Sequence, residues 1–200
     1  MNKARFEAFS DGVFAFAITL LVLGIILPAF KNPPTDKELA DALLHLWPNI
    51  LAYMLSFAVI GIMWQNHHAL FRLIERIDRR TVFLNLMLLS VTVFIPFATS
   101  TLGVYPSMKS STFLYGLTLT SSAIVFNLLL DHLARARAFH ANVTPATVHQ
   151  TKFAYRAGLA TYAIAMLVSL VEPVLSFALY LLVAAYFLSP RGVDADLASR

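Results

Sequence analysis

An all-α membrane protein, with six transmembrane helices per subunit, is the fold class this sequence predicts. Three observations carry it. Of 200 residues, 58% are hydrophobic and only 13% charged, where soluble domains carry about a quarter charged. The mean hydropathy is +0.71, and the apolar residues fall into six blocks separated by charge or proline. The basic residues gather in alternate connections, as they do in a chain that crosses a bilayer repeatedly. Sixteen Phe, seven Gly and no Cys exclude disordered, collagen-like and disulfide-stapled chains, and with them thiol catalysis and Cys-bound metals.

The first block, 6–27, stops at Pro28 before a polar stretch that contains Pro33 and Pro34. It is too long for a signal-peptide core, holds Glu7 and Asp11, and lacks a small-residue cleavage site, so it is expected to stay in the protein. The second, 48–66, has Pro48 at a first helical position and ends in His67-His68. The third, 81–101, follows the charged run from Arg72 to Arg80 and carries Pro96 as an expected kink. The fourth, 111–130, ends at Asp131-His132. The fifth, 155–171, and the sixth, 174–188, meet at Glu172-Pro173 as a tight hairpin, and both are short for a span. No internal repeat divides the chain, so residues 1–200 read as one six-helix domain.

Six spans place both termini on one side. That side carries Lys3, Arg5, Arg72, Arg76, Arg79, Arg80, Arg135, Arg137, Lys152, Arg156, Arg191 and Arg200, against Lys31, Lys37 and Lys109 on the other. Twelve against three assigns the termini to the cytoplasm of a multi-pass cell-membrane protein. The same bias explains a pI near 9.5 without nucleic acid, for which no zinc-finger, RRM or helix-turn-helix pattern is present.

In a lipid-soluble chain the polar residues are informative because each costs free energy unless partnered. Asp11 lies inside the first helix. At the same expected depth stand Trp64, His67 and Asn85, whose indole, imidazole and amide hydrogens all suit the Asp11 carboxylate. Adjacent His67 and His68 point about 100° apart on a helix and lack His-x-x-x-His or Glu-x-x-His spacing, so no metal site is assigned. Further along the first helix, Phe16, Thr19, Leu20 and Leu23 follow i, i+3, i+4 and i+7. Periodicity leaves their neighbour open among lipid, another helix and a pore, with helix packing as the default.

The run Arg5-x-x-x-Phe9-Ser10-Asp11-Gly12, continued by Ala17 to Leu23, resembles the signature of the prokaryotic transmembrane protein 175 family of lysosomal-type potassium channels. Trp64-x-x-His67 and Asn85 fit the same pattern, and the likeness extends over the six-helix layout. The resemblance implies a homotetramer with a central pore formed by oligomerisation and lined by the first helix. It implies potassium permeation, and no cofactor. Arg5, Phe9, Ser10 and Asp11 then take the signature role with Trp64, His67 and Asn85 as partners. Phe16, Thr19, Leu20 and Leu23 become the pore stripe, with Phe16 where the family more often has Ile or Leu. No Thr-Val-Gly-Tyr-Gly filter occurs.

Two other classes fit the sequence less well. A proton-coupled secondary transporter using Asp11, His67 or His68 lacks a carboxylate at the membrane centre. An intramembrane enzyme built on His67, His68, Asp131 and His132 lacks a metalloprotease, hydrolase or phosphate-binding motif, so no catalytic residue is assigned.

Overall fold

The computed structural model describes residues 3–188. Within them lie seven α-helices: α1 (Lys3–Leu20), α2 (Asp36–His45), α3 (Trp47–Arg72), α4 (Arg79–Val104), α5 (Lys109–Arg135), α6 (Pro145–Val168) and α7 (Pro173–Leu188). A 3₁₀ turn, Leu21–Gly24, extends α1. Among the described residues there is no named strand, only the isolated bridge between Ile74 and Phe139.

Among the described residues four segments are long and apolar enough to cross a membrane: α1 with its 3₁₀ turn, α3, α4 and α5. The predicted sixth helix is present as α7, apolar but 16 residues long. The predicted fifth is α6, which starts ten residues earlier than expected. Thr144 caps it by accepting from Thr147 N–H at 3.2 Å. Its early turns carry His149, Gln150, Lys152 and Arg156. Periodicity of apolar residues does not register such a polar extension.

Other boundaries need correction too: α3 runs through His67-His68 to Arg72, six residues past its expected end, and α5 runs to Arg135, five past. The first helix ends at Gly24 instead of residue 27, through the 3₁₀ tightening common at helix ends. Ile25 is already extended, with φ −92° and ψ 95°. The polar stretch after Pro33-Pro34 contains α2, which the hydropathy reading left unassigned. Its start is a capping box: Glu38 N–H donates to Thr35 Oγ1, and Thr35 N–H donates to Glu38 Oε2 at 2.8 Å. At Pro96 the assigned helix is continuous, although the ring removes one backbone donor.

α4 is the central element, packing against α1, the 3₁₀ turn, α3 and α5. Apolar chains gain nothing by leaving lipid for a neighbouring helix, so small and hydroxylic residues carry much of the association. Ser56 on α3 accepts from Thr99 on α4 at 2.7 Å and lies 3.0 Å from the Tyr115 hydroxyl on α5. Gly103 lets α4 approach Asn49 of α3. Gly116 of α5 receives the Tyr180 hydroxyl of α7, which sits where a Cβ would be.

One end of the bundle collects charge. Lys3 Nζ donates to the Ile74 carbonyl at 2.6 Å, Lys152 pairs with Asp131 at 2.8 Å, and Arg156 pairs with Asp131 at 3.4 Å. Helix α1's start, the α3–α4 turn, the end of α5 and the start of α6 therefore share an end, as the basic clustering predicts. Arg191 and Arg200 of that set lie outside the described residues. Asp78 caps α4 here, accepting from Thr81 N–H at 2.7 Å with His132 Nε2 at 3.0 Å. The Thr81 bond above all, helped by His132, holds its carboxyl down to about 2.

Gly116→Ala is expected to lower stability by about 1–3 kcal/mol, because the new methyl must displace Tyr180. Gly61→Ala, where nothing lies within 4 Å of the added carbon, is the control in detergent thermal unfolding. Equal midpoints would show that Tyr180 swings aside freely. A depressed carboxylate contributes stability above its unfolded value, 3.8, and loses it as pH falls toward about 2. Asp78→Asn keeps the cap, so its stability profile is expected to be flatter than wild type across that window. Parallel profiles would remove Asp78 from the acid response.

Candidate functional site: the face and anchor of α1

The side of α1 that enters the protein consists of Phe6, Ser10, Phe14, Ala17 and Leu21, all buried. Their 4-4-3-4 spacing is one helical stripe. Ser10 is the polar member. It is fully buried, and its hydroxyl donates to the Phe6 carbonyl at 3.1 Å. The same oxygen accepts from Asn85 Nδ2 of α4 at 3.0 Å. Asn85 Oδ1 in turn lies 2.8 Å from His67 Nε2 of α3.

These three bonds have one consistent direction. His67 donates from Nε2, Asn85 accepts and donates onward, and Ser10 passes its own hydrogen to the backbone of α1. Asn85 and His67 are both almost fully buried. The imidazole stacks on Phe71 at 4.4 Å between centroids and meets Phe14 of α1 at 5.3 Å. Three helices are thus joined by a polar chain inside an aromatic sleeve.

Asp11 uses a different partner. It is half-buried and accepts from Trp64 Nε1 at 2.9 Å, in a bond exposed on the single chain. The expectation that Trp64, His67 and Asn85 all serve the Asp11 carboxylate is therefore corrected. Only Trp64 does, while Asn85 meets Ser10 and His67 meets Asn85. The physical reason is helix geometry, because Ser10 and Asp11 point about 100° apart. His68 is exposed and stacks on Trp64 at 6.1 Å. Of the other signature residues, Arg5 and Phe9 are exposed, Phe9 by 55%. Neither belongs to the polar chain.

With Ser10 pointing inward, the rest of α1 is fixed by rotation. At 100° per residue Thr19 lies about 180° from Ser10, Phe16 about 240° and Leu20 about 280°. The exposures follow: Phe16 59% and Leu23 68% exposed, Thr19 exposed, Leu20 half-buried at the flank. Packing inside the subunit, the default for this stripe, is corrected for Phe16, Thr19 and Leu23. Thr19 Oγ1 donates to the Phe16 carbonyl at 2.8 Å, so its hydrogen is used inside the helix and its lone pairs remain free. Among the described residues no group of three His, Asp or Glu side chains is placed to hold a metal ion.

The endosomal/lysosomal potassium channel TMEM175 family model matches residues 5–96, which include the whole anchor. A potassium channel from Chamaesiphon minutus is 40% identical over 190 residues, covering 93% of each chain. The chain belongs to the TMEM175 family. Another relative, a potassium channel from Streptomyces collinus, is 37% identical and covers 94% of this chain and 92% of its own. The crystal structure of a lysosomal potassium-selective channel TMEM175 homologue from Chamaesiphon minutus matches with a TM-score of 0.81. Its sequence is 38% identical, with 92% of this chain and 95% of that one covered.

The Ser10 branch of this TMEM175 chain was legible in type and missed in connectivity. Ser10 follows Phe6 and precedes Phe14 by four residues each, which places it on the apolar inner stripe. That spacing was the available signal. Asn85→Ala is expected to cost about 1–3 kcal/mol by stranding the buried His67 ring nitrogen, while Ser10 keeps its bond to the Phe6 carbonyl. Trp64→Phe should cost less, since Asp11 remains within reach of water. A Ser10→Ala/Asn85→Ala double-mutant cycle in detergent should show coupling of about 0.5–1.5 kcal/mol. Additive losses would show that the bond contributes nothing specific.

Proposed function

We propose that this protein is a potassium-permeable channel in which subunits assemble, as a homotetramer, around the uncovered face of α1. The carrying observation is that α1 is held on one side by the Ser10 chain while its opposite face, with Phe16, Thr19 and Leu23, is exposed among the described residues. An apolar helical face of this kind borders lipid or a central axis, and the relatives named as potassium channels support the axis. Six membrane-crossing segments, with α6 and α7 completing the four longer ones, leave both termini in the cytoplasm under the positive-inside bias.

In this reading Phe16 and Leu23 form apolar rings and Thr19 a ring of oxygens between them, with Leu20 at the subunit seam. A permeating cation meets no carbonyl cage. It gives up part of its hydration at the apolar rings, where closure by dewetting needs little movement. The Thr19 oxygens, their hydrogens already committed to the helix backbone, offer lone pairs to a partly dehydrated potassium ion. The two bulky rings therefore set the barrier, and the hydroxyl ring lowers it locally.

Phe16→Ala, reconstituted in liposomes, is expected to raise potassium flux about tenfold, which corresponds to about 1.4 kcal/mol removed from the barrier. Oligomer size, checked by light scattering, should match wild type. Unchanged flux in an assembled Phe16→Ala oligomer would remove Phe16 from the constriction. Wild-type flux that saturates with potassium and depends on a proton gradient would favour a coupled transporter over a channel.

A further inference from the structure

The segment from Arg72 to Arg80 holds four arginines, Arg72, Arg76, Arg79 and Arg80, against the acids Glu75 and Asp78. All four are exposed, and none makes a side-chain hydrogen bond or ion pair among the described residues. Other cations at this end of the bundle do pair: Lys3 lies 3.8 Å from Glu7, and Lys152 and Arg156 share Asp131. Asp78 does not serve Arg79. Its Oδ1 accepts from Thr81 N–H at 2.7 Å, and both of its oxygens lie 3.0 Å from His132 Nε2. Arg79 and Arg80 also stand in the first turn of α4, which carries no acid and where the helix dipole opposes a cation. The positive-inside bias asks for cations in the connection, not for two inside that turn. An anion held from outside the subunit offsets that cost.

Beneath Arg79 the surface turns apolar. A groove of about 380 Å³ is lined by Ile77, Asp78, Arg79, Val82, Phe83 and Leu86. Arg79, Val82, Phe83 and Leu86 follow i, i+3, i+4 and i+7, so they form one stripe on α4, with Leu86 about 10 Å farther along the helix than Arg79. Phe83 is 60% exposed and Leu86 47%. The order into the membrane is therefore guanidinium, aromatic ring, aliphatic chain. α4 is long and apolar enough to span a bilayer, which sets the arginines at headgroup depth and Leu86 among acyl chains. A soluble anion or an acidic peptide would use the arginines alone and leave Phe83 and Leu86 uncovered. A phospholipid covers both, because its phosphate suits a guanidinium and its acyl chain suits the stripe.

We propose that this groove binds an anionic phospholipid of the leaflet at the charged end of the bundle, its phosphate on Arg79 and an acyl chain along Phe83 and Leu86. Arg76 and Arg80 add to the local positive field. A zwitterionic lipid brings its own ammonium group to a segment with two more arginines than acids, so phosphatidylglycerol is favoured over phosphatidylcholine. The site needs only that α4 spans the membrane and is independent of where the pore lies.

The test uses the full chain in phosphatidylcholine nanodiscs and two photoreactive lipids, a phosphatidylglycerol and a phosphatidylcholine, each with a diazirine in one acyl chain. Trypsin releases Thr81–Lys109, which contains Phe83 and Leu86, as one peptide. The phosphatidylglycerol probe is expected to label that peptide in preference to the phosphatidylcholine probe and to be competed by unlabelled phosphatidylglycerol. Arg79→Gln should lower the preference about 5-fold, the effect of one cation near a membrane surface. Arg137→Gln, which removes an exposed cation outside the groove, should leave it unchanged. Equal labelling by the two probes, or no labelling because a second subunit covers the groove, would overturn the proposal. So would an undiminished preference in Arg79→Gln, an equal loss in Arg137→Gln, or displacement by inorganic phosphate at constant ionic strength.

Discussion

The bond from the Asn85 amide to the Ser10 hydroxyl determines which way α1 faces, and much of the structure depends on that choice. A helix that is apolar almost all round has no hydrophobic reason to prefer one rotation in lipid. A buried hydroxyl does supply a reason, because turning α1 by one residue would carry Ser10 away from Asn85 and bring Phe9 or Asp11 inward. Each alternative takes the Ser10 acceptor away from the buried Asn85 amide, while the Asn85–His67 bond, made between α4 and α3, is unaffected. The anchor therefore acts through the penalty for breaking it more than through the modest strength of one bond.

The rest of the bundle works as a mount for that anchor. Asn85 and His67 are usable only if α3 and α4 hold their own register, and hydroxyls and glycines supply it farther along. Ser56 and Thr99 join α3 to α4, Tyr115 brings in α5, and the Gly116 notch seats Tyr180 of α7. These contacts are short and directional, whereas the apolar contacts around them tolerate sliding. At the charged end, Lys3 on the Ile74 carbonyl ties the start of α1 to the turn that precedes α4. Rotation and axial position of α1 are thus set by separate contacts.

How much of this was legible follows from what hydropathy can register. The long apolar helices α3, α4 and α5 stand out because each combines an unbroken apolar run with charged flanks. The polar extension of α6 and the whole of α2 do not, since both are stabilised by capping and charge. The Thr35-x-x-Glu38 box was the cue for α2, but it lies in a stretch whose prolines read as a loop. For the site, residue types at equal depth were enough to select Asp11, Trp64, His67 and Asn85, and the family resemblance added Ser10. They were not enough to pair them, because pairing depends on helix azimuth, which depth leaves free.

The separation of the two polar links has its own logic. Ser10, Asn85 and His67 form a neutral chain that can be buried without stranding a charge, so they suit the interior of a helix junction. Asp11 has a carboxylate, and burying it fully would need a cation or several donors; the structure gives it one indole hydrogen at a half-exposed position instead. The neutral link holds the orientation of α1, while the carboxylate sits toward the uncovered side of the helix. The same rotation that buries Ser10 brings Asp11 to the edge and sets Phe16, Thr19 and Leu23 outward. An anchor and an exposed face on one helix are then two consequences of a single constraint, and a substitution on either face acts on the other only through the azimuth of α1.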